Sequence, residues 1–100
     1  MFYIYILFSH SSNLYYVGYS TDVDLGVRQH NESGQGTFTS KHRPWVLKGV
    51  FSCGEDRALA MRIEKFIKKQ KSKSFIEALL SGVPLTGILA QLVRVPHVRD

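Results

Sequence analysis

The chain has 100 residues, of which 44% are apolar and 12% aromatic, and this composition predicts one folded domain rather than a disordered chain. Its single cysteine, Cys53, excludes an internal disulfide framework and a cysteine-rich zinc module, and it favours a reducing, cytoplasmic location. The first apolar run, residues 2–8, is too short to span a bilayer, so we expect no membrane association.

Positive charge is concentrated in one stretch of the chain. Thirteen Lys and Arg residues against eight Asp and Glu give a net charge of +5 and a pI near 9.6. Six of these cations and one acid lie between Arg62 and Lys73, so this basic strip alone carries +5. Such a strip is typical of proteins that bind polyanions, and the alternative is a solvated helix face.

Three strands are predicted from runs of β-forming residues. Residues 2–8 are apolar on both faces, which indicates a strand buried on both sides. After five polar residues, residues 14–19 repeat the pattern, which predicts a hairpin. Gly18 within this second strand indicates a bulge or the close approach of another group. Residues 45–52 form the third predicted strand.

Three helices are predicted, over residues 22–31, 54–70 and 73–81. The first follows a polar N-cap segment, residues 20–22, and has Gly26 at its middle. Ser52 and Glu55 resemble a capping box for the second helix, whose apolar stripe is Leu59, Ile63, Phe66 and Ile67.

The element order β-β-α-β-α-α predicts an α+β fold, with a small three-stranded antiparallel sheet flanked by helices. We assign residues 1–82 to this domain. Residues 83–100 contain two prolines and a weaker pattern, so they are expected to form a loosely attached C-terminal tail. The apolar residues Leu89, Leu92 and Val93 leave open the alternative that this tail packs against the domain.

Two tyrosine motifs, Tyr3-Ile4-Tyr5 and Tyr15-Tyr16-Val17-Gly18, lie on the two strands of the hairpin. Aromatic residues there usually belong to the core, and the alternative is that their hydroxyls converge on one side. Further motifs follow: Gln29-His30-Asn31, a glycine-rich loop over 34–39, Arg43-Pro44-Trp45, and Glu64 ahead of Ile67-Lys68-Lys69. This ordered set, over about residues 2–80, resembles the GIY-YIG nucleases. It is most similar to their small single-domain branch, which is related to the N-terminal nuclease domain of the bacterial nucleotide-excision-repair excinuclease.

The resemblance implies the GIY-YIG fold and a metal-dependent endonuclease that hydrolyses DNA phosphodiester bonds in DNA repair or processing. It implies that Tyr5, Tyr16 and His30 lie at the scissile phosphate, with one tyrosine as the general base. It also implies that Glu64 is the single carboxylate that binds Mg²⁺ or Mn²⁺. One carboxylate is sufficient, because Mg²⁺ keeps most of its waters and takes a phosphate oxygen from the substrate. Without the resemblance, Glu64 would be interpreted as an ion-pair partner of Lys68.

DNA is therefore the expected partner, bound mainly through its phosphates. The candidate DNA-binding residues are Arg28, Thr39, Lys41, Arg43, Lys65, Lys68 and Lys69. For the loop cations, simple solvation is the alternative. A homodimer or a partner protein is expected to add specificity, because the domain is small. A third interpretation is a protein-interaction domain whose basic strip meets an acidic partner, but it leaves the tyrosine, histidine and glutamate set unexplained.

One position departs from the family pattern. The GIY-YIG nucleases have an arginine eight residues after the glycine of the second motif and four before the histidine, and here both counts lead to Gly26. Arg28 is the nearest substitute, but two positions turn a side chain by about 200° around a helix. Lys41 and Arg43 are the other candidates. Loss of one preorganised charge contact slows a reaction by about 10²- to 10³-fold. We therefore predict weakened cleavage with DNA binding retained, and the alternative is a catalytically inactive DNA-binding module.

Overall fold

The structure is a computed structural model that describes residues 1–32 and 38–96. Within these residues lie four strands, β1 (Tyr3–Ser9), β2 (Leu14–Ser20), β3 (Trp45–Ser52) and β4 (Val93–Val95), and three helices, α1 (Val23–Glu32), α2 (Arg57–Lys69) and α3 (Lys73–Leu80). Short 3₁₀ helices cover Thr39–His42 and Gly87–Gln91. The predicted α+β class is confirmed. Most of the predicted glycine-rich loop and the last four residues of the predicted tail lie outside the described residues.

The strands form one antiparallel sheet in the order β2-β1-β3-β4, so the prediction of three strands is wrong. The added strand, β4, pairs with the end of β3, with Val95 opposite Val50 and Val93 opposite Ser52. Three residues followed by a proline are too short for a periodic pattern to reveal a strand. The other edge of the sheet is β2, and the candidate site lies beside it.

The segment before β4 is part of the folded body. Leu89 and Leu92 are buried in the main hydrophobic core. Arg94 donates a hydrogen bond of 3.0 Å to the carbonyl oxygen of Leu80 at the end of α3, and its guanidinium lies 5.3 Å from the centre of the Phe51 ring. Residues 87–95 therefore pack against the domain, as the alternative interpretation of the tail expected, and they are not loosely attached. The boundary at residue 82 stays a prediction.

Helices cover both faces of the sheet, which explains why β1 is buried on both sides, as predicted. Ile4 and Ile6 join the core beneath α2 and α3, whereas Tyr5 and Leu7 point to the face that packs against α1. No helix in the described part of the chain is both long and apolar enough to cross a membrane.

The helix starts follow local capping. Asp22 caps α1, as its polar N-cap segment predicts, and its Oδ1 accepts a hydrogen bond from the backbone N–H of Leu25. The predicted capping box of α2 is wrong, because Asp56 is the N-cap and accepts from the N–H of Ala58. Phe66 is 38% exposed, so it contributes less to the apolar stripe than its spacing suggests.

Candidate active site

Tyr5 is held between two glycines. Its ring lies over Gly18, its partner in the β1–β2 pair, where a Cβ atom would be 2.6 Å from the phenol oxygen. On the other side the phenol oxygen faces Gly26 of α1, where a Cβ atom would be 3.2 Å away. The close approach predicted at Gly18 is thus confirmed. Two positions without side chains leave room for the ring, which is 4% exposed.

His30 connects Tyr5 to the 3₁₀ helix that follows α1. Its Nε2 atom lies 2.8 Å from the hydroxyl oxygen of Tyr5, and its Nδ1 atom lies 3.1 Å from Oγ1 of Thr39. The centre of its ring is 4.7 Å from that of Tyr16. The interpretation of the tyrosines as core residues therefore holds for the Tyr5 ring, while its hydroxyl meets the imidazole.

Burial controls the protonation of this pair. Burial raises the pKa of Tyr5, and the nearby Tyr16 and Glu64 raise it further. Burial also lowers the pKa of His30, and the nearby Lys68 ammonium adds to this effect. Free tyrosine and histidine titrate near 10 and 6.5, so both groups are neutral at about pH 7. Tyr5 is therefore a phenol and not a phenolate in the resting protein.

The side chains of Glu64 and Lys68 extend from α2 towards Tyr16. Their side chains lie one helical turn apart, with 3.8 Å between Oε2 of Glu64 and Nζ of Lys68. Lys68 lies over the Tyr16 ring, with its Nζ 4.6 Å from the ring centre. The structure thus brings together the two tyrosines, the histidine and the glutamate singled out in the sequence, and it adds an ammonium group. Their catalytic roles stay predictions.

The sequence that forms this site matches a known protein family. Residues 1–77 match the GIY-YIG catalytic domain. The chain belongs to the GIY-YIG family. It is also similar to a UPF0213 protein of Haloquadratum walsbyi (strain DSM 16790 / HBSQ001), with 38% identity over 66 residues, which are 66% of this chain and 72% of that relative. GIY-YIG domains are found in endonucleases, so the group formed by Tyr5, Tyr16, His30 and Glu64 is the candidate active site.

GIY-YIG nucleases generally use divalent metal ions, and Glu64 is the residue predicted to hold one here. Across residues 1–32 and 38–96 there is no cluster of three or more His, Cys, Asp and Glu side chains that could hold a metal ion. Glu64 forms the ion pair with Lys68 that was the alternative interpretation, with 3.8 Å between the charged atoms. At this distance the carboxylate is not hydrogen-bonded to the ammonium, and the Glu64 side chain is 20% exposed. One accessible carboxylate fits a magnesium-type ion that keeps its waters and is completed by the substrate phosphate.

Gly26 is the position that the spacing predicts for the family arginine, and the three cations considered as substitutes lie elsewhere. Arg28 is exposed on α1, about 200° around the helix from Gly26. Arg43 donates from Nε to the carbonyl oxygen of His30 at 2.8 Å, which ties it to the end of α1. Lys41 is exposed on the 3₁₀ helix. The structure instead places Lys68 beside the tyrosine and histidine pair.

The remaining predicted DNA contacts are not part of this group. Thr39 is 8% exposed, and its hydroxyl is the partner of His30, so we interpret it as a residue that orients the imidazole. Lys65 and Lys69 are exposed about 100° and 140° around α2 from Glu64. Their contribution to DNA binding stays a prediction.

The sequence interpretation missed Phe38. Its ring is 52% exposed and lies nearly parallel to that of Tyr16, with 6.4 Å between ring centres and 29° between planes. An aromatic residue within a Gly, Ser and Thr loop, where no core packing is expected, is the signal that could have found it.

Proposed function

We propose that this protein is a metal-dependent endonuclease that hydrolyses DNA phosphodiester bonds, with cleavage weakened by Gly26. The observation that supports it is the convergence of Tyr5, Tyr16, His30 and Glu64 beside one edge strand of a GIY-YIG domain. A role in DNA repair or processing and a cytoplasmic location stay predictions, as does the use of a homodimer or partner protein.

The chain supplies a route for one proton. For water to attack the phosphorus atom it must lose a proton. The phosphorus–oxygen bond to the leaving group then breaks, and the leaving oxygen takes up a proton from solvent. Tyr5 becomes able to accept that proton only after passing its own to Nε2 of His30, which lies 2.8 Å away. Thr39, at 3.1 Å from Nδ1, holds the imidazole in position for this transfer.

Two side chains of α2 would stabilise the negative charge of the phosphate. Glu64 would hold the divalent ion, which supplies Lewis-acid stabilisation of the phosphoryl oxygens when bound. Lys68, whose ammonium lies over Tyr16, provides a positive charge beside the same phosphate. A lysine is a point charge without the planar fork of an arginine, so it replaces the missing guanidinium only in part.

The experiment measures cleavage of flapped and branched DNA with Mg²⁺ or Mn²⁺. We expect slow, metal-dependent cleavage that is lost in Glu64→Gln. Glu55→Gln is the matched control, because Glu55 pairs with the N-terminus on an exposed surface and should leave the rate unchanged. Cleavage that persists in Glu64→Gln, or that needs no divalent ion, would contradict the proposal.

A second candidate is a DNA-binding module of the same fold without cleavage. The position of Gly26, directly against the Tyr5 hydroxyl, favours it, because no cation stands there to stabilise a phenolate. DNA binding in the presence of EDTA, combined with no cleavage under any metal condition, would identify this alternative.

A further inference from the structure

A groove opens beside the candidate active site. It encloses about 630 Å³, within the range of roughly 300–1,000 Å³ that is common for ligand pockets. The end of the hairpin loop and the start of β2 form one wall, and the end of α2 with the start of α3 forms the other. Tyr16 and Lys68 line this groove and also belong to the active-site group, so the two are continuous.

The lining of the groove is mostly apolar and includes an exposed aromatic platform. Phe38 is 52% exposed and Leu14 is 36% exposed. The Phe38 ring is supported by the rings of Tyr16 and His42, whose centres lie 6.4 Å and 4.7 Å away. A rigid ring that is supported in this way and still open to solvent is a suitable surface for stacking a flat group.

Lysines lie along the α2–α3 wall of this groove. Lys68, Lys71 and Lys73 all border the groove, and no aspartate or glutamate is among the described residues that line it. The ammonium of Lys73 donates to the side-chain oxygen of Asn13, which keeps this charge at the rim. Lys71 has φ of 49°, a left-handed conformation at the end of α2 that glycine adopts at lower cost. A cation therefore occupies a position where the backbone alone would favour glycine.

We propose that this groove binds one unpaired nucleobase of the DNA strand whose phosphate lies at the active site. A flat aromatic group joined to phosphates matches an apolar cleft with an aromatic platform and a cationic rim. Because Tyr16 and Lys68 are shared, a base in the groove would be attached close to the reacting phosphate. The inference rests on the proposed function and narrows its substrate to DNA with an unstacked nucleotide at the cleavage position.

The test measures binding without metal, so that it does not depend on cleavage. Two fluorescently labelled duplexes are compared in EDTA by anisotropy, one fully paired and one with a single unpaired 2-aminopurine at its centre. We expect the second to bind about 10-fold more tightly, and its 2-aminopurine emission to be quenched by stacking on Phe38. Loss of one base–aromatic stack weakens binding by roughly 5- to 150-fold, so Phe38→Ala should remove the preference and leave the paired duplex unaffected.

Two further variants separate binding from folding. Phe66→Ala is the matched control, because this ring is also exposed, at 38%, but lies about 200° around α2 from Glu64. It should keep the preference. Lys71→Gly relieves the left-handed strain, so it should leave the melting temperature unchanged or raise it while weakening binding to both duplexes.

Several outcomes would overturn the inference. Equal affinity for the two duplexes, or a preference that survives in Phe38→Ala, would exclude a base-binding groove while leaving the endonuclease proposal intact. A shift from dimer to monomer in Phe38→Ala, seen by sedimentation without DNA, would identify the groove as a contact between two copies of the chain. Absence of binding to either duplex would reject this inference and the proposed function together.

Discussion

Replacing Gly26 by arginine supplies the cation that the family spacing predicts at this position, and its effect on cleavage has two parts. The first part is steric. Any Cβ atom at residue 26 lies 3.2 Å from the Tyr5 hydroxyl, so the phenol must move by a few tenths of an ångström. This strain opposes a gain of about 1 kcal/mol that a non-glycine residue gives within a helix. Gly26→Ala adds only the Cβ atom, so it measures the steric effect without a charge.

The second part is electrostatic. One preorganised charge contact at a reacting centre is worth about 10²- to 10³-fold in rate, which corresponds to about 3–4 kcal/mol. We therefore expect Gly26→Arg to cleave flapped DNA about 10²- to 10³-fold faster than the unmodified protein, and Gly26→Ala to stay within about threefold of it. Gly26→Lys should fall between them, because an ammonium lacks the planar fork of a guanidinium.

The assay is single-turnover cleavage with excess protein in Mg²⁺, which separates chemistry from binding and product release. Absorbance titration of the tyrosines gives an independent readout, since a guanidinium near Tyr5 should lower its raised pKa. A rate increase in Gly26→Ala equal to that in Gly26→Arg would refute the electrostatic reasoning. So would an unmodified protein that already cleaves as fast as Gly26→Arg.

Three further predictions concern stability and the hydrogen-bonded pair. The pKa of His30 is lowered in the fold, so the stability that the neutral imidazole contributes is present above about pH 6.5 and is lost as the pH falls. The pKa of Tyr5 is raised in the fold, so the stability that the neutral phenol contributes is lost as the pH rises above about 10. Urea unfolding across pH should therefore show the acid-side loss decrease in His30→Asn and the alkaline-side loss decrease in Tyr5→Phe. Thr39→Val should lower the free energy of unfolding by about 1 kcal/mol and raise KM or lower kcat, while Thr39→Ser restores both. Leu89→Ala and Leu92→Ala should each cost about 2–5 kcal/mol in the same unfolding experiment.

Controls for these predictions use residues outside the site. Tyr15 and Cys53 also have raised pKa values, the first through limited burial and Glu77 and the second through burial, so Tyr5→Phe should reduce the alkaline loss without abolishing it. Val93→Ala serves as the control for the C-terminal segment, because Val93 is 62% exposed and should change stability by less than about 0.5 kcal/mol. Equal effects at the exposed and buried positions would contradict the placement of Leu89 and Leu92 in the core.

The parts of the fold that the sequence predicts well are those with long, regular patterns. The hairpin and β3 follow from continuous β-forming runs. The start of α1 follows from Asp22, and the end of α3 follows from Gly82, whose φ is +87°. β4 escapes prediction because its three residues acquire their structure from pairing with β3, and that pairing is a long-range property. The start of α2 is predicted too early because Ser52 and Glu55 fit the spacing of a capping box, whereas Asp56 caps the helix.

The candidate site is also predicted only in part from the sequence. Family motifs mark Tyr5, Tyr16, His30 and Glu64 as residues, but spacing alone does not show that the Tyr5 hydroxyl bonds to His30 or that Lys68 covers Tyr16. The first contact depends on how α1 packs against β1, and the second depends on how α2 passes the edge strand β2. Phe38 escapes prediction for a related reason, since an exposed ring in a loop has no periodicity and acquires meaning only beside its neighbours.

Gly26 affects Tyr5 in two ways, through the space that it leaves and through the charge that it lacks. A side chain at residue 26 would push against the phenol oxygen, so glycine lets that oxygen settle against α1 and His30 at 2.8 Å. Tyr5 is buried, and burial is the largest cause of its raised pKa. The same glycine removes the charge that would oppose that increase. An arginine at residue 26 should therefore lower the pKa of Tyr5 mainly through its charge. Tyr5→Phe in the Gly26→Arg background should abolish the regained cleavage if the phenol is the group that benefits. Persistence of the regained rate without the phenol would assign the arginine to the phosphate alone.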